Sequence, residues 1–219
     1  LELFEAPGGI QEKKTAMTST TEQLDTELLR QVHAGQAEAF TALYRRHQGP
    51  LYRYALLRCG SGDAAADIVQ EAFMGLLTGR LGYDPLRGQL QHFLFGVARK
   101  LALKLDEARQ RHPRLPEPLD DEGDLELEVG MASDAAGPLA RLLGNEMAEE
   151  VRRALSLLPP HYRDPVILYE LHDLSYQEIA AVCQVDIGTV RSRLARGRAA
   201  LAKRLHGLQG APSNDAHLA

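Results

Sequence analysis

Apolar residues recur at intervals of three and four through most of this chain, the spacing of one buried helical face. Leu28, Leu29, Val32, Phe40, Leu43 and Tyr44 make one such stretch, continued beyond Gly49-Pro50 by Leu51, Tyr52, Ala55 and Leu56. Gly60-Ser61-Gly62-Asp63 predicts a break, with Asp63 placed to cap the helix that follows. Ile68, Val69, Ala72, Phe73, Leu76 and Leu77 form the next stripe, and Asp67, Gln70, Glu71 and Met74 lie opposite it. Residues 79–88 carry the Gly, Asp and Pro of a loop. Phe93, Leu94, Val97, Ala98, Leu101 and Leu105 give a further stripe, with Arg99, Lys100 and Lys104 outside it. Stripes of this kind over residues 24–111 are enough to close a helical core.

The second half has a helix from about Glu146 to Leu158, stopped by Pro159-Pro160, and another from about Tyr162 to Leu171. Pro165 is unexpected inside that helix; with Asp164 before it, the pair reads as a second helix start. Ser175 and Glu178 make a capping box opening a short helix to Cys183. Gln184 to Asp186 turn the chain, and Asp186 can cap the last helix, whose stripe is Val190, Leu194, Leu201 and Leu205. Arg191, Arg193, Arg196, Arg198, Lys203 and Arg204 fill much of the remaining surface of that helix, with no acid among them. A helical hairpin whose second helix is basic suits the major groove; the same charges also fit a plain solvated face. Gly197 costs that helix about 0.5–1 kcal/mol, which points to a bend or a close approach.

The net charge of −5 seems to oppose nucleic acid, but its distribution does not. Residues 24–111 balance at +3 and 146–206 at +1, whereas 112–145 stand at −6. His112-Pro113, Pro116, Pro118 and the acids Asp120 to Glu128 make that middle stretch a linker unable to form its own core. As a coil it spans roughly 30 Å, and extended it reaches about 110 Å. Residues 1–23 read as a disordered tail, with Met17 as a native start and Leu1 to Ala16 outside the fold; 207–219 read as a second tail. Cys59 and Cys183 lack metal-ligand spacing and read as buried thiols of a reducing compartment, hence a cytoplasmic protein. No apolar run approaches the roughly 18 residues of a membrane span.

Four segments in this order, AFTALYRRHQGPLYRYALLRCG, DAAADIVQEAFMGLL, YDPLRGQLQHFLFGVARK and LSLLPPHYRDPVILYELHDLSYQEIAAVCQVDIGTVRSRLARGRAAL, resemble the extracytoplasmic-function (ECF) class of bacterial sigma factors. The resemblance runs from about Leu24 to His206. It implies an all-α chain of two small helical domains, sigma region 2 over 24–111 and region 4 over 146–206, joined by the acidic linker. It further implies that Asp67, Gln70 and Glu71 dock on the β′ clamp of core RNA polymerase, with the β flap as a second contact. Tyr83, Gln89, Gln91, His92, Arg99 and Lys100 match the loop and helix that capture the melted −10 strand, where an unstacked base and its backbone need a pocket and cations. Arg191, Ser192, Ala195 and Arg196 match the positions facing the −35 element, and Thr189 with the helix N-terminus suits a phosphate. Arg193, Arg198, Lys203 and Arg204 are left to phosphate or solvent.

The departures from the family pattern are Phe93 in place of a common Trp, Gly197 in place of Ala, and Lys104 with Glu107, a pair of reversed polarity. The resemblance also implies an anti-sigma partner and a linker that threads into basic paths of the polymerase. A phosphate-cradling loop, a metal constellation and a nucleophile with a spaced base are all missing from the sequence, so the expectation is a transcription initiation factor and not an enzyme, without metal or cofactor. The alternatives are a free-standing helix-turn-helix regulator, which leaves the DxxQE helix unexplained, and a decoy for an anti-sigma factor, which has no need of Arg191, Ser192 and Arg196.

Overall fold

The computed structural model describes residues 24–111 and 138–209. Eight α-helices and no strand occupy them. They are α1 (24–33), α2 (Ala37–Cys59), α3 (Gly62–Leu77), α4 (Leu90–Arg111), α5 (Pro138–Ser156), α6 (Pro160–Glu170), α7 (Tyr176–Cys183) and α8 (Ile187–Gln209), with a short 3-10 turn at Pro85–Arg87. The tail at 1–23, most of the expected linker and residues 210–219 lie outside the described residues. Helix α5 begins at Pro138, inside the stretch expected as linker, and α8 runs past His206 to Gln209.

The first break falls earlier than the sequence predicts. Helix α1 ends at Gly35, whose φ of +85° lets its N–H reach Val32 O at 2.9 Å while Gln36 N–H reaches Gln31 O at 3.0 Å. Gly49-Pro50 makes no break: α2 continues through it. Leu43, His47, Leu51, Tyr54, Ala55 and Arg58 form one buried face across the proline. Burial on both sides therefore outweighs the backbone bond that Pro50 cannot donate. The α2–α3 corner is built by Gly60, at φ +70°, and by Ser61, whose Oγ accepts from Ala64 N–H at 3.4 Å. Ser61, not Asp63, is the cap; Asp63 sits in the first turn, where its charge complements the helix dipole. Helices α2, α3 and α4 pack on one another, and α1 buries Val32 and adds Leu29 to the same core.

Two glycines lie at close approaches. A Cβ on Gly75 would meet Leu81 Cδ1 at 2.6 Å, because the chain after α3 folds back with Leu81 N–H on Gly75 O at 3.0 Å. A Cβ on Gly197 would meet Val166 Cγ2 at 2.7 Å and Tyr162 O at 3.2 Å. Of the two readings open for Gly197, the structure thus supplies the close approach, which lets α8 cross α6.

The helices before and after residues 112–137 share one continuous apolar core, running from Leu29, Leu43 and Phe73 to Ile167, Ile179 and Leu194. Helix α6 packs on α2, α7 on α4, and α5 on α2. Phe95, missing from the expected stripe of α4, is fully buried from this side, its ring 5.4 Å from Tyr54 and 4.6 Å from His172. Helix α4 is therefore apolar on two faces. Pro165 lies within a continuous α6 and marks no second start, and Asp164 is no cap. Its carboxylate, 1% exposed, turns inward to the other half of the molecule.

Candidate nucleic-acid interface

The helix-turn-helix is built as its residues dictate. Ser175 Oγ accepts from Glu178 N–H at 3.3 Å, and Glu178 returns a carboxylate to Ser175 N–H at 2.7 Å. Gln184 takes the left-handed turn at φ +56°, and Val185 N–H closes on Ala180 O at 3.1 Å. Asp186 opens α8, its carbonyl accepting from Val190 N–H at 3.0 Å. Val190, Leu194 and Gly197 face inward. Arg191, Ser192, Ala195 and Arg196 stand together on the exposed face, and Thr189 is half-buried beside them, its carbonyl accepting from Ser192 Oγ at 2.9 Å. Two guanidiniums flanking a methyl and a hydroxyl on one helical face can reach base edges, and the helix start adds N–H donors for a phosphate.

Not every base of α8 shares that face. Arg198 Nε lies 2.5 Å from Glu170 Oε1, and its guanidinium sits over the Tyr169 ring, 4.6 Å from the centroid. It ties α8 to α6 while remaining exposed to solvent. Arg193 and Arg204 are half-buried, while Lys203 is exposed.

Around α4 the expected residues divide. Tyr83 Oη donates to Gly88 O at 2.8 Å, and its ring stacks 5.4 Å from Phe93, so this tyrosine closes the 79–88 loop on α4. Asp84 caps the 3-10 turn through Leu86 N–H at 3.0 Å and leaves Leu86 standing 96% exposed. Gln89 and Gln91 are half-buried, with Gln89 O accepting from Phe93 N–H, and Lys100 is exposed. His92, Gly96 and Arg99, at i, i+4 and i+7, form the face of α4 turned to α6 and α7. His92 Nε2 is 3.9 Å from Glu178 Oε1, a Cβ on Gly96 would lie 3.9 Å from Val182 O, and Arg99 Nε is 3.0 Å from Asp164 Oδ2. Glu107 pairs with Arg111 at 3.5 Å.

Sequence reasoning missed the group on which that face closes. Asp164 is 2.7 Å from Arg58 Nε, as well as 3.0 Å from Arg99, and Tyr54 Oη donates to it at 3.2 Å. Arg58, fully buried, also donates to Asp106 at 2.6 Å. Neighbouring Arg163 donates to Arg58 O at 2.6 Å, to Leu158 O at 2.7 Å and to Ser156 O. Burial pushes the Asp164 carboxyl above the usual carboxylate range, against the pull of Arg58 and Arg99. One signal could have revealed the cluster: Arg58 sits at i+7 from Leu51 on the apolar face of α2, where a charge requires a buried counterion.

The third surface is plain. Asp67, Gln70 and Glu71 are exposed along α3, with Met74 42% and Leu77 39% exposed below them, and Arg80 pairs with Glu71 at 3.2 Å. Cys183 is buried, and burial pushes its thiol up to about 11; Cys59 is only half-buried. Among the described residues no group of three His, Cys, Asp or Glu could hold a metal, and no helix is long and apolar enough to cross a membrane.

Comparison with known proteins gives the family of the chain. Residues 43–112 match the model for sigma-70 region 2, and residues 148–201 the model for sigma-70, region 4. The class defined is that of sigma-70-type transcription factors. The chain is 33% identical over 188 residues to the ECF RNA polymerase sigma-E factor of Escherichia coli (strain K12), covering 83% of this chain and 94% of that one. It is 31% identical over 158 residues to ECF RNA polymerase sigma factor SigE of Mycolicibacterium smegmatis, covering 71% of this chain and 57% of that one. The chain belongs to the ECF RNA polymerase sigma factor family. Its fold resembles that of CnrH in complex with the cytosolic domain of CnrY (TM-score 0.59, 24% identity, 84% of this chain and 98% of that one). It also resembles the sigma factor RpoE in complex with the anti-sigma factor NepR from Bartonella quintana (TM-score 0.58, 22% identity, 78% and 98%).

Proposed function

We infer that this chain binds core RNA polymerase and directs it to promoters, with residues 24–111 as the core-binding and −10-binding domain and 146–206 as the −35-binding domain. One observation carries the reading: α8 buries Val190, Leu194 and Gly197 and turns Arg191, Ser192, Ala195 and Arg196 outward in a chain of the ECF family. Arg191 and Arg196 grip base edges of the −35 element, Ser192 serves a base or phosphate, Ala195 contributes shape, and Thr189 lies beside a phosphate. Asp67, Gln70 and Glu71, with Met74 and Leu77 below them, form the face that docks on the clamp, an acidic and partly apolar stripe suited to a basic partner. The loop at 79–88 and the start of α4 take the melted −10 strand, with Gln89, Gln91, His92, Arg99 and Lys100 nearest it. Tyr83 shapes this loop.

The protein works without covalent chemistry, by differential binding to closed and melted DNA, in the cytoplasm with its polymerase. RpoE of Bartonella quintana, which this fold resembles, is in complex with the anti-sigma factor NepR, which supports a partner of that kind here. Run-off transcription with purified bacterial core polymerase over a library of the host's upstream regions tests the reading. Specific transcripts that disappear in R191A/R196A are expected. Core binding without stimulation would make the chain a decoy, and no core binding would return it to a free-standing regulator.

A further inference from the structure

The cluster around Asp164 joins the two halves of the chain at the face of α4 assigned above to the −10 strand. We propose that Asp164 is an internal stand-in for a DNA phosphate: it closes α6 and α7 over His92, Gly96 and Arg99, and when the halves part, Arg58 and Arg99 take a backbone phosphate in its place.

Charge accounting supports the exchange. In the closed form Arg58 and Arg99 face Asp164 and Asp106, with Arg163 beside them on Arg58 O, so the five side chains sum to +1. Removing Asp164 and Arg163 together leaves two guanidiniums against Asp106 alone, a net positive charge equal to one phosphate. The guanidiniums already lie against the two oxygens of a single anion, Arg58 Nε 2.7 Å from Oδ1 and Arg99 Nε 3.0 Å from Oδ2, as they would against two oxygens of one phosphate. Tyr54 Oη, which donates to the same carboxylate, supplies a third donor from the half that stays behind. Asp164 leaves together with α6 and with Arg163, whose bond to Arg58 O is broken in the same movement.

Geometry makes the parting obligatory. Elements centred near −35 and −10 are about 25 base pairs apart, roughly 80 Å along the duplex. A compact body of this size is only about 40 Å across. With α6 and α7 seated on α2 and α4, the exposed face of α8 and the covered face of α4 cannot both engage their elements. The cluster is therefore a latch between a form that withholds Arg99 and a form that offers it, and D164N removes the stand-in while leaving two buried cations to repel one another.

The inference rests on the reading of α4 as the −10 helix, and its test has one arm that involves no DNA. The full chain and D164N are compared by small-angle scattering and by binding to a fluorescein-labelled 20-nucleotide single-stranded DNA across a salt series. D164N is expected to raise the radius of gyration by at least about 5 Å, as one body becomes two on a tether. Its DNA affinity should rise about tenfold, as it must when a form populated one time in ten becomes dominant. The salt slope should steepen by about 0.7 per phosphate gained, and R58Q placed in D164N should return that increment. G96L, a wedge between α4 and Val182 that leaves the ion cluster intact, should open the chain and tighten DNA binding in the same way, and it decides the matter if D164N fails to fold. A radius unchanged in both variants overturns the latch. A larger radius with DNA affinity and slope unchanged overturns the phosphate exchange. A chain that opens and tightens on DNA but never stimulates core polymerase would instead count against the sigma-factor reading and leave the latch standing.

Discussion

Helices α4 and α8 both carry arginines outside their main apolar stripes, and the packing treats them in opposite ways. On α8 the cations Arg191 and Arg196 stand clear of the body, because Val190, Leu194 and Gly197 turn the opposite face inward and Arg198 makes the polar tie to α6. On α4 the corresponding cation Arg99 is drawn against Asp164, and its neighbours His92 and Gly96 are overlaid by α7. An amphipathic helix with one apolar face leaves its charges to solvent; a helix with two, such as α4 with Leu94 and Phe95 on different sides, can keep them only by pairing them. The contrast separates a basic face open to solvent from one covered by the other half of the chain.

The contrast breaks most completely on the exposed side. R191A/R196A is expected to lower promoter-specific run-off transcription by about a thousandfold, since each bidentate base contact is worth about 1–3 kcal/mol. Its thermal unfolding should match that of the unaltered chain, because both side chains are exposed. A matching loss of stability would show that these arginines hold the fold instead of reading DNA.

On the covered side the next largest effect belongs to Phe95. F95A empties a site lined by Tyr54 and His172 and should cost about 3 kcal/mol in urea unfolding. If the two halves did not share a core, the cost would fall well under 1 kcal/mol, and the division between α4 and α8 drawn above would be lost.

His172 sharpens the same interface by pH. Burial against Phe95 and Tyr54, assisted by Arg53 and opposed by Asp173, lowers its pKa from 6.5 to about 4. The packed state holds it neutral, while an opened chain protonates it near its ordinary value. Its contribution is therefore fully present above pH 6.5 and is lost as the pH falls toward 4, amounting to about 2 kcal/mol after allowance for its partial exposure. Asp164, raised by burial, contributes with the opposite sign in both the unaltered chain and H172F. The difference between their stability curves isolates the imidazole. Parallel curves between pH 4 and 6.5 would mean that His172 is not in the packed interface.

Much of this arrangement was legible beforehand. The helices, the capping box of Ser175 with Glu178, the exposed stripe of α3 and the exposed basic face of α8 all follow from local spacing, because each depends on residues within a turn or two. What escaped was set by distance along the chain. Asp164 lies 65 residues from Arg99 and 110 from Tyr54, so with Pro165 after it the residue suggested a helix start and not a buried anion. Gly49-Pro50 was overruled for a related reason, since a face buried by α3 and α4 holds α2 together across a local defect. Ser61 displaced Asp63 as the cap by two residues, a choice between adjacent good candidates that depends on where Gly60 turns the chain.

The smallest expected effect lies back on α8, at the one arginine there that behaves like Arg99. Arg198 is held by Glu170 and lies over Tyr169, yet it is partly exposed, so its ion pair is worth no more than about 1 kcal/mol. E170Q should leave unfolding nearly unchanged and release the guanidinium toward solvent on the helix that carries Arg191 and Arg196. Non-specific duplex affinity should then rise slightly, with a salt slope steeper by up to about 0.9, the value for one further phosphate contact. Specificity among promoters should stay as it was, because Arg198 is off the groove face. A change in promoter choice in E170Q would place Arg198 among the base-reading residues, and the difference between α4 and α8 would then be one of degree, with each helix holding part of its DNA-binding charge in reserve.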